Sequence, residues 1–508
     1  MKESLRLGLE ITITKRPQRL SPDVSRAVRP DRVPVWKGIP LDRLYSERSF
    51  DYVSQATDPK QEVCLTGKGL NQLYVCFGAP GTGKSYLMKQ LLKQMAKEWE
   101  PPWGGLLLDP KQTLFEKKPK QTLFERVVEE IEIPANRLHV ISPSTRTNLL
   151  CSNLGPRDLG AALAMAAQSA GISSKEPYWL NEMKRIFGAG LTLLNILGRK
   201  STLHNLADLL LSTEKVGKER RAALVGDIGE AENLPGDEKT VRNRERAISE
   251  LEQFTATHGD NAETVRSFIS QVLSPFLDPE LDYVSDDSES QQSIAELIIR
   301  DANWVMLEVP KNSLSVSHML SALAKILFQR AALDRFASFP KREGPIFLFV
   351  DEYAELASDL PGDGFGDSIF FSQARQFKVF SFIATQGIPM LENSGVREAW
   401  KTILSNSAGK IFFRVADPDT AELAAKLLGE GNLIVADKSV VHSPEGGNVQ
   451  KGEKLERRTI LTSDLFTTAL KQGQFVFLGV TDGGEVSLAR LRYVDGDKTR
   501  YEERNSNA

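Results

Sequence analysis

Short runs of consecutive apolar residues recur along the chain and alternate with segments of helical periodicity. In the first unit, an apolar run at 73–77 precedes a glycine-rich loop, an amphipathic segment at 84–97 and an apolar run at 105–108 that ends in Asp109. This order predicts a strand, a helix and a second, parallel strand. Similar apolar runs follow at 138–141, 304–309, 346–350, 379–384, 410–415 and 475–480. Strands that are apolar throughout predict an α/β fold with a mostly parallel sheet covered by helices on both faces.

The interval 155–301 has a different pattern, with Ala-rich and Leu-rich helical runs and no strand-like segment. We interpret it as an all-α insertion. Its mixed-charge portion, 214–252, fits either a solvated helical surface or a nucleic-acid-binding face. A short direct repeat, KQTLFEKKP followed by KQTLFERVV at 111–128, is too short for a solenoid and indicates a local duplication.

The first 37 residues are basic, with nine Lys and Arg against four Asp and Glu. A strand-like stretch at 7–14 is followed by four prolines, which interrupt any regular pattern. This segment is either an extended arm that wraps around another surface or a solvated tail.

Composition adds limits to this picture. The chain has 508 residues, of which 41% are hydrophobic and 26% charged, as in a soluble globular protein rather than a disordered or fibrous one. The net charge of -3 gives no overall field that would attract nucleic acid, so any anion-binding site must be local. No apolar run reaches the length of about 18 residues that a membrane helix needs. We expect a soluble, cytoplasmic protein. The spacing of Cys64, Cys76 and Cys151 and five scattered His residues predict reduced thiols and no metal cluster.

Residues 78–85 read GAPGTGKS and match the phosphate-binding pattern G-x-x-x-x-G-K-[ST], the Walker A motif. The match lies directly after a predicted strand and opens a predicted helix, as the motif requires. We expect the loop N–H groups to bind phosphate oxygens, Lys84 to contact the β- and γ-phosphates, and Ser85 to be a ligand of Mg²⁺. The predicted ligands are ATP and Mg²⁺. The candidate nucleotide-binding residues are Gly78, Ala79, Pro80, Gly81, Thr82, Gly83, Lys84, Ser85 and Tyr86.

The apolar run that ends at Val350 is followed by Asp351 and Glu352, the form of a Walker B strand. An acidic pair alone also fits a strand end that carries a helix N-cap, but its combination with the phosphate loop favours catalysis. Asp351 is expected to hold the water shell of Mg²⁺, and Glu352 to orient and deprotonate the attacking water. The two motifs lie far apart in the sequence, so an insertion separates them.

Two further residues flank the next apolar run, 379–384. Gln386 follows it, which predicts a neutral amide beside the γ-phosphate that can report hydrolysis. Arg375 precedes it and is expected near a subunit edge, where a guanidinium can reach a neighbour's γ-phosphate. The alternative for Arg375 is a surface arginine or one that contacts a nucleic-acid backbone.

Taken together, these motifs resemble the FtsK–HerA superfamily of hexameric DNA motors and, within it, the TraG/TraD-like type IV coupling proteins of conjugation and type IV secretion. The resemblance covers about residues 70–494. The segments that carry it are GAPGTGKS (78–85), LLLDPK (106–111), KEPYWLNEMKRIF (175–187), VMLEVP (305–310), FVDEYAEL (349–356), ARQF (374–377), FIATQ (382–386), SNSAGKIFFRVADPDTAELAAKLLG (405–429), RRTILTSDLF (457–466) and GQFVFLGV (473–480).

The resemblance implies a RecA-like P-loop ATPase that forms a ring, with DNA in its pore and an inserted all-α domain facing the cytoplasm. It supports Gln386 as a nucleotide sensor and Arg375 as an arginine that acts in trans. Implied partners are further copies of the chain in a hexamer, DNA, and a relaxase, secretion-channel or other mobile-element protein. Coupling proteins usually carry N-terminal transmembrane helices, and this sequence has a basic arm in their place. The location predicted is therefore cytoplasmic, or peripheral at the inner membrane through a partner.

The predicted organisation has five parts, namely a basic arm (1–60), a first ATPase segment (61–154), the all-α insertion (155–301), a second ATPase segment (302–494) and a polar tail (495–508). DNA contacts are predicted in the repeat, at Lys117, Lys118 and Lys120. The predicted function is an ATP-driven DNA translocase. The alternative is an ATP-switched ring that recruits a partner in assembly or anti-phage defence without moving DNA.

Overall fold

The structure is a computed structural model. It describes residues 4–12, 35–36, 39–40, 57–66, 72–97, 103–115, 121–172, 177–211, 226, 229, 237–256, 260–289, 291–310, 312–359, 366–428, 430–443, 446–459, 462–479 and 487–490. The strands are β1 (Ser4–Thr12), β2 (Val35–Trp36), β3 (Ile39–Pro40), β4 (Thr57–Thr66), β5 (Leu73–Phe77), β6 (Gly105–Leu108), β7 (Leu138–Ile141), β8 (Trp304–Leu307), β9 (Ile346–Val350), β10 (Val379–Thr385), β11 (Gly409–Phe412), β12 (Glu430–Ser443), β13 (Gly446–Thr459), β14 (Gln474–Gly479) and β15 (Ser487–Arg490).

The helices are α1 (Lys84–Lys97), α2 (Leu123–Ile131), α3 (Pro156–Ser169), α4 (Pro177–Ile196), α5 (Leu203–Leu211), α6 (Glu238–Ala256), α7 (Asp260–Leu273), α8 (Leu314–Ser338), α9 (Asp367–Gln373), α10 (Ile388–Glu392), α11 (Trp400–Asn406) and α12 (Pro418–Leu428). The predicted strands at 73–77, 105–108, 138–141 and 346–350 and the predicted helix at 84–97 are confirmed to the residue. The other predicted strands are confirmed with shifts of one to three residues at their ends.

Within the described residues, eleven strands form one sheet in the order β4-β1-β15-β14-β11-β5-β10-β9-β6-β8-β7. The seven strands from β11 to β7 are parallel. The four at the other end are antiparallel. Parallel strands of one sheet end at a common edge, so the segments that follow β5, β6, β9 and β10 lie together. The mostly parallel α/β fold predicted from the sequence is confirmed.

Both faces of the parallel part of the sheet are buried, which explains why its central strands are apolar at every position. Along β5, Leu73, Val75 and Phe77 belong to one apolar layer, whereas Tyr74 and Cys76 belong to the other. α1 and α2 cover the second layer, and α8 covers the first together with the helices that follow β7. The alternation of strand side chains thus fills two cores from one continuous apolar run.

The segment between β7 and β8 contains α3 to α7 and short helical turns, with no strand among its described residues. α3 and α4 cross so closely that a Cβ on Gly160 would lie 2.4 Å from the backbone nitrogen of Gly188. Such a contact admits only glycine. This helical segment packs on α8 through α3, and so contacts the sheet at the layer opposite α1.

The structure adds two features to the sequence prediction. β1 begins at Ser4, three residues before the predicted strand, and pairs with both β15 and β4 within the main sheet. β12 and β13 form a long two-stranded ribbon that the sequence analysis did not predict. The stretch 430–459 is rich in charged and polar residues, and its apolar run, LIVA at 433–436, is much shorter than the strand of 14 residues that contains it.

No helix among the described residues has the length and apolar character needed to span a bilayer. The same residues contain no group of three or more His, Cys, Asp or Glu that could hold a metal ion, and both Cys76 and Cys151 are free thiols.

Candidate nucleotide-binding and hydrolysis site

The glycine-rich loop joins β5 to α1 at the edge where the parallel strands end. Two neighbouring strands hold it there through its backbone. The Gly78 N–H donates to the carbonyl of Thr385 at the end of β10 over 3.2 Å, and the Ala79 N–H donates to the carbonyl of Arg414 after β11 over 2.8 Å. A Cβ on Gly78 would lie 2.8 Å from Cβ of Phe413, so the close approach to β11 requires glycine here.

Inside the loop, the backbone turns through left-handed conformations at Gly81 (φ 74°) and Gly83 (φ 121°). The ammonium of Lys84 is buried and donates to the carbonyls of Gly78, over 2.6 Å, and Ala79, over 3.2 Å. Thr82 Oγ1 donates to the Ala79 carbonyl over 2.8 Å. The first turn of α1 has no acidic residue, so the helix itself places no carboxylate beside its N-terminal N–H groups and positive dipole end.

Ser85 and Asp351 come together at the base of the loop, although they lie far apart in the sequence. The Ser85 hydroxyl donates to Asp351 Oδ2 over 2.9 Å. Asp351 is buried at the end of β9, and burial raises the pKa of its carboxyl while the bond from Ser85 and the charge of Lys84 oppose the rise. A hydroxyl and a carboxylate side by side are hard oxygen ligands, which suit Mg²⁺ held by one carboxylate and the phosphates of a nucleotide.

Glu352 is the next residue, and its carboxylate lies beside Gln386 at the end of β10. The Gln386 amide donates to the two Glu352 oxygens over 3.1 and 3.3 Å. Glu352 has a left-handed backbone (φ 48°), which is uncommon for a residue with a side chain and costs conformational energy. The turn places the two neighbouring acids differently, with Asp351 buried against Ser85 and Glu352 partly exposed beside Gln386.

Two charged residues that the sequence analysis did not select lie at the same edge, directly after β6. Asp109 is buried, and burial raises the pKa of its carboxyl to about 6 although it accepts a hydrogen bond from the Leu114 N–H. Lys111 Nζ lies 3.9 Å from Glu352 Oε2 and 2.5 Å from Glu355 Oε1. The signal that could have found them is their place immediately after an apolar strand next to the Walker B strand.

Of the remaining predicted site residues, the structure describes Tyr86 and Arg375. Tyr86 is partly buried and packs against the apolar layer under α1. Arg375 is exposed and precedes β10, so it lies at the opposite edge of the sheet from Gln386, which follows that strand. The strand of seven residues separates the two by about 20 Å. Lys117, Lys118 and Lys120 lie outside the described residues.

Comparison with known proteins gives a consistent result. Residues 345–469 match the family model described as the TraM recognition site of TraD and TraG. No curated protein matches the chain in sequence. Among solved structures, the plasmid coupling protein TrwB bound to a non-hydrolysable GTP analogue has a TM-score of 0.56 at 15% identity, covering 97% of this chain and 95% of TrwB.

Two further TrwB structures give similar values. The complex with a non-hydrolysable ATP analogue has a TM-score of 0.56 at 15% identity and covers 96% of this chain and 94% of the other. The complex with ADP and Mg²⁺ has a TM-score of 0.55 at 15% identity, and the match covers 97% of this chain and 95% of the TrwB chain. The chain therefore has the fold of a coupling-protein P-loop ATPase, and the resemblance to the type IV coupling proteins inferred from the motifs is confirmed.

Proposed function

Because the chain has the fold of a type IV coupling protein, we propose that it is an ATP-driven motor that moves DNA and hydrolyses ATP between the subunits of a homo-oligomeric ring, a hexamer. One observation carries the proposal. Two hydrogen-bonded pairs join residues from three separate parts of the chain. Ser85 of the Walker A motif pairs with Asp351 of the Walker B motif, and Gln386 pairs with Glu352. A module that only bound ATP would need the first pair but not the second.

Each residue of the site has a distinct task in this proposal. The loop N–H groups and Lys84 bind the phosphates, and Ser85 and Asp351 hold Mg²⁺. Bound Mg²⁺ neutralises charge that develops on the phosphate oxygens. Glu352 accepts a proton from the water that attacks the γ-phosphorus, and the Gln386 amide fixes the orientation of the Glu352 carboxylate. Glu352 is the catalytic base, and Gln386 links its position to the end of β10.

The location of Arg375 supports catalysis between subunits. An exposed guanidinium about 20 Å from the site of its own subunit cannot stabilise charge there, because Coulomb attraction across solvent is weak at that range. It can do so for an adjacent copy in a ring. We therefore propose that Arg375 completes the neighbouring active site and that the isolated subunit is nearly inactive.

The DNA-binding part of the proposal rests on the repeat. β6 ends at the same sheet edge as the phosphate loop, and Lys117, Lys118 and Lys120 follow it in the sequence. Replacing all three with Ala should reduce DNA stimulation of the ATPase without changing ATP affinity. The log-log dependence of DNA affinity on salt should flatten by about 0.9 per lost contact for duplex DNA or about 0.7 for single strands. An unchanged slope would remove this segment from the DNA path.

We also propose that the protein binds a partner protein. The match of 345–469 to a TraM recognition site supports binding of a DNA-processing partner through this segment, which includes the Walker B strand.

We propose a cytoplasmic location, where ATP and DNA are available, with attachment to the inner membrane through a partner. We also propose that 61–154 and 302–494 form the ATPase domain around the insertion 155–301, with 1–60 as an arm and 495–508 as a tail.

An ATPase assay with and without DNA tests the function. The wild-type protein should hydrolyse ATP, and DNA should increase the rate, whereas Lys84→Ala should be inactive in both conditions. An ATPase that no single- or double-stranded DNA stimulates would contradict the motor and favour the ATP-switched ring. Full activity in Lys84→Ala would show that the measured hydrolysis comes from another protein in the preparation.

A further inference from the structure

Glu352 contacts polar groups from both strands that neighbour β9, a neutral amide from one and an ammonium from the other. Gln386 reaches it from the end of β10, and Lys111 reaches it from the end of β6, which flanks β9 on the other side. The final backbone bond between these strands, from the Asp351 N–H to the Leu108 carbonyl over 3.0 Å, brings Lys111 next to the Walker B acids. The topology thus places the Gln386 amide on one side of Glu352 and the Lys111 ammonium on the other.

Lys111 is itself anchored. Its Nζ lies 2.5 Å from Glu355 Oε1, and Glu355 Oε2 lies 2.9 Å from Nε2 of His318 on α8. The side chains of Glu355 and His318 are only 15% and 13% exposed, and that of Lys111 is 32% exposed. Such burial restricts all three side chains, so this series differs from an exposed ion pair, whose partners move freely in solvent.

The electrostatics agree with the geometry. Partial burial lowers the pKa of Lys111, but the bond to Glu355 and the charges of Glu352, Glu355 and Asp351 outweigh it and raise that pKa. Burial also raises the pKa of Glu355, yet its contacts with His318 and Lys111 bring it below the ordinary value. Lys111 therefore remains a cation and Glu355 an anion at neutral pH.

We propose that Lys111 is a positioning residue of the ATPase site: anchored by Glu355 and His318, its ammonium holds the Glu352 carboxylate in the orientation in which it accepts a proton from water. The left-handed backbone of Glu352 makes such support necessary, because a conformation that costs energy persists only where surrounding contacts fix it. The inference rests on the proposed role of Glu352 as catalytic base. Lys111 is thus a third residue of the site beside Glu352 and Gln386, and it gives the LLLDPK segment, which ends in Lys111, a function in hydrolysis.

The first experiment compares Lys111→Met with Lys111→Arg in the ATPase assay. Lys111→Met keeps the length of the side chain and removes its charge, so kcat should fall by about 10- to 100-fold, the effect of misplacing a reacting group by about 1 Å. ADP affinity should change by less than about two-fold, because Lys111 supports the base and not the phosphates. Lys111→Arg should keep most of the activity, since a guanidinium can still pair with Glu355.

Lys89→Met is the matched control. Lys89 on α1 forms an ion pair of similar burial with Glu130 on α2, over 2.8 Å, on a helix face that has no contact with Glu352. Its kcat should equal that of the wild type. If Lys111→Met unfolds, Glu355→Gln provides the second measurement, because it weakens the anchor of Lys111 without removing the ammonium, and kcat should then fall with ADP affinity retained.

A charge exchange separates positioning from simple structural support. If Lys111 only tied the segment after β9 to β6, Lys111→Glu combined with Glu355→Lys would restore the ion pair and the activity. Under our proposal, the exchange leaves kcat low, because it places a carboxylate beside Glu352. Restored activity in the exchange, or wild-type kcat in Lys111→Met, would overturn the inference.

The Glu352→Gln variant separates an error in the role of Lys111 from an error in the proposed function of the site. If Glu352→Gln is inactive and Lys111→Met is fully active, the base assignment holds and only the role of Lys111 is wrong. If Glu352→Gln hydrolyses ATP at the wild-type rate, the proposed function of the site is wrong, and the inference falls with it.

Discussion

The side-chain amide of Gln386 donates to both carboxylate oxygens of Glu352, over 3.1 and 3.3 Å, and so ties the end of β10 to the end of β9. The two residues are 34 positions apart and are neighbours only because the parallel strands β9 and β10 pair in register. A change at either residue should therefore affect the chemical step more than nucleotide binding.

Replacing Gln386 by Leu should separate binding from hydrolysis. Leu fills a similar volume but donates no hydrogen bond, so the Glu352 carboxylate loses one of its supports. We expect kcat to fall by about 10- to 100-fold, with ADP affinity retained. Steady-state ATPase assays and equilibrium titration with ADP measure the two quantities. Equal losses in kcat and affinity would contradict a role confined to the chemical step.

Lys84→Ala and Glu352→Gln should fail in different ways. Lys84→Ala removes the ammonium that meets the phosphates, so the protein should lose ATP binding itself. Glu352→Gln keeps Ser85 and Asp351 and loses only the proton acceptor, which should lower the rate by about 10²- to 10⁴-fold and leave ATP bound unhydrolysed. Retention of γ-labelled ATP after gel filtration distinguishes them. A Gln variant that releases labelled phosphate at the wild-type rate would disprove the Walker B assignment.

The trans role of Arg375 predicts recovery of activity on mixing. Arg375→Ala subunits keep an intact phosphate loop, and Lys84→Ala subunits keep the arginine, so each is inactive alone. In mixed rings, Lys84→Ala subunits should supply Arg375 to Arg375→Ala sites, and an arginine in trans accelerates hydrolysis by about 10³- to 10⁵-fold. ATPase activity is measured as a function of the mixing ratio. No recovery in rings shown to be mixed would argue against the assignment.

The buried pair Lys325 and Asp367 should be essential for stability. Lys325 Nζ donates to Asp367 Oδ2 over 2.6 Å and to the Leu356 carbonyl over 2.6 Å, both side chains are fully buried, and the Tyr353 hydroxyl donates to Asp367 over 2.7 Å. Lys325→Met leaves an unpaired carboxylate and should lower the free energy of unfolding by about 3 to 5 kcal/mol.

A second substitution checks this cause. Adding Asp367→Asn removes the unpaired charge and keeps one oxygen that can accept from both the Tyr353 hydroxyl and the Ser358 N–H, so the double variant should recover part of the loss. Urea unfolding of both variants measures the difference. A double variant less stable than Lys325→Met would show that the charge is not the source of the loss.

Asp109 should make the stability depend on pH. Its pKa of about 6 lies above the ordinary 3.8, so ionisation is disfavoured in the folded protein, and a contribution present below about pH 4 is lost as the pH rises to about 6. The difference of about two units corresponds to at most about 3 kcal/mol.

Asp109→Asn does not ionise, so its melting temperature relative to the wild type should increase between pH 4.5 and pH 7. Thermal unfolding at several pH values measures this difference, and Asp208→Asn, at an exposed position of α5, is the control. A difference that stays constant over this range would mean that Asp109 ionises freely in the folded protein.

The direct repeat shows where sequence patterns fail to fix structure. In the second copy, Thr122 and Glu125 form a capping box and α2 begins at Leu123. In the first copy, the described residues 111–115 form no helix: the Leu114 N–H donates to the Asp109 carboxylate, and Gln112 has a left-handed backbone. The two copies differ in their contacts to the rest of the protein, which the sequence of the repeat alone does not encode.

The candidate site also contains some residues that a sequence pattern identifies and others that only the tertiary structure brings together. The phosphate loop and the Walker B acids were predictable because a local pattern and its place between strand and helix identify them. The series Lys111, Glu355 and His318 was not, because its members come from the end of β6, the turn after β9 and α8, and only the tertiary fold brings them together. The β12–β13 ribbon was missed because most of its residues are polar or charged, and its apolar run at 433–436 covers only a small part of it.

The place of β1 in the sheet has a consequence for biosynthesis. β1 lies between β4 and β15, and Leu9 pairs with Arg490. β4 leaves the ribosome soon after β1, but β15 follows about 420 residues after β4, which takes on the order of 20 to 85 seconds at about 5–20 residues per second. Throughout that time the nascent β1–β4 pair has an open edge on which a foreign strand could add. The sheet is completed only after translation of β15, so β1, although it is made long before β15, is among the last strands to reach its final pairing.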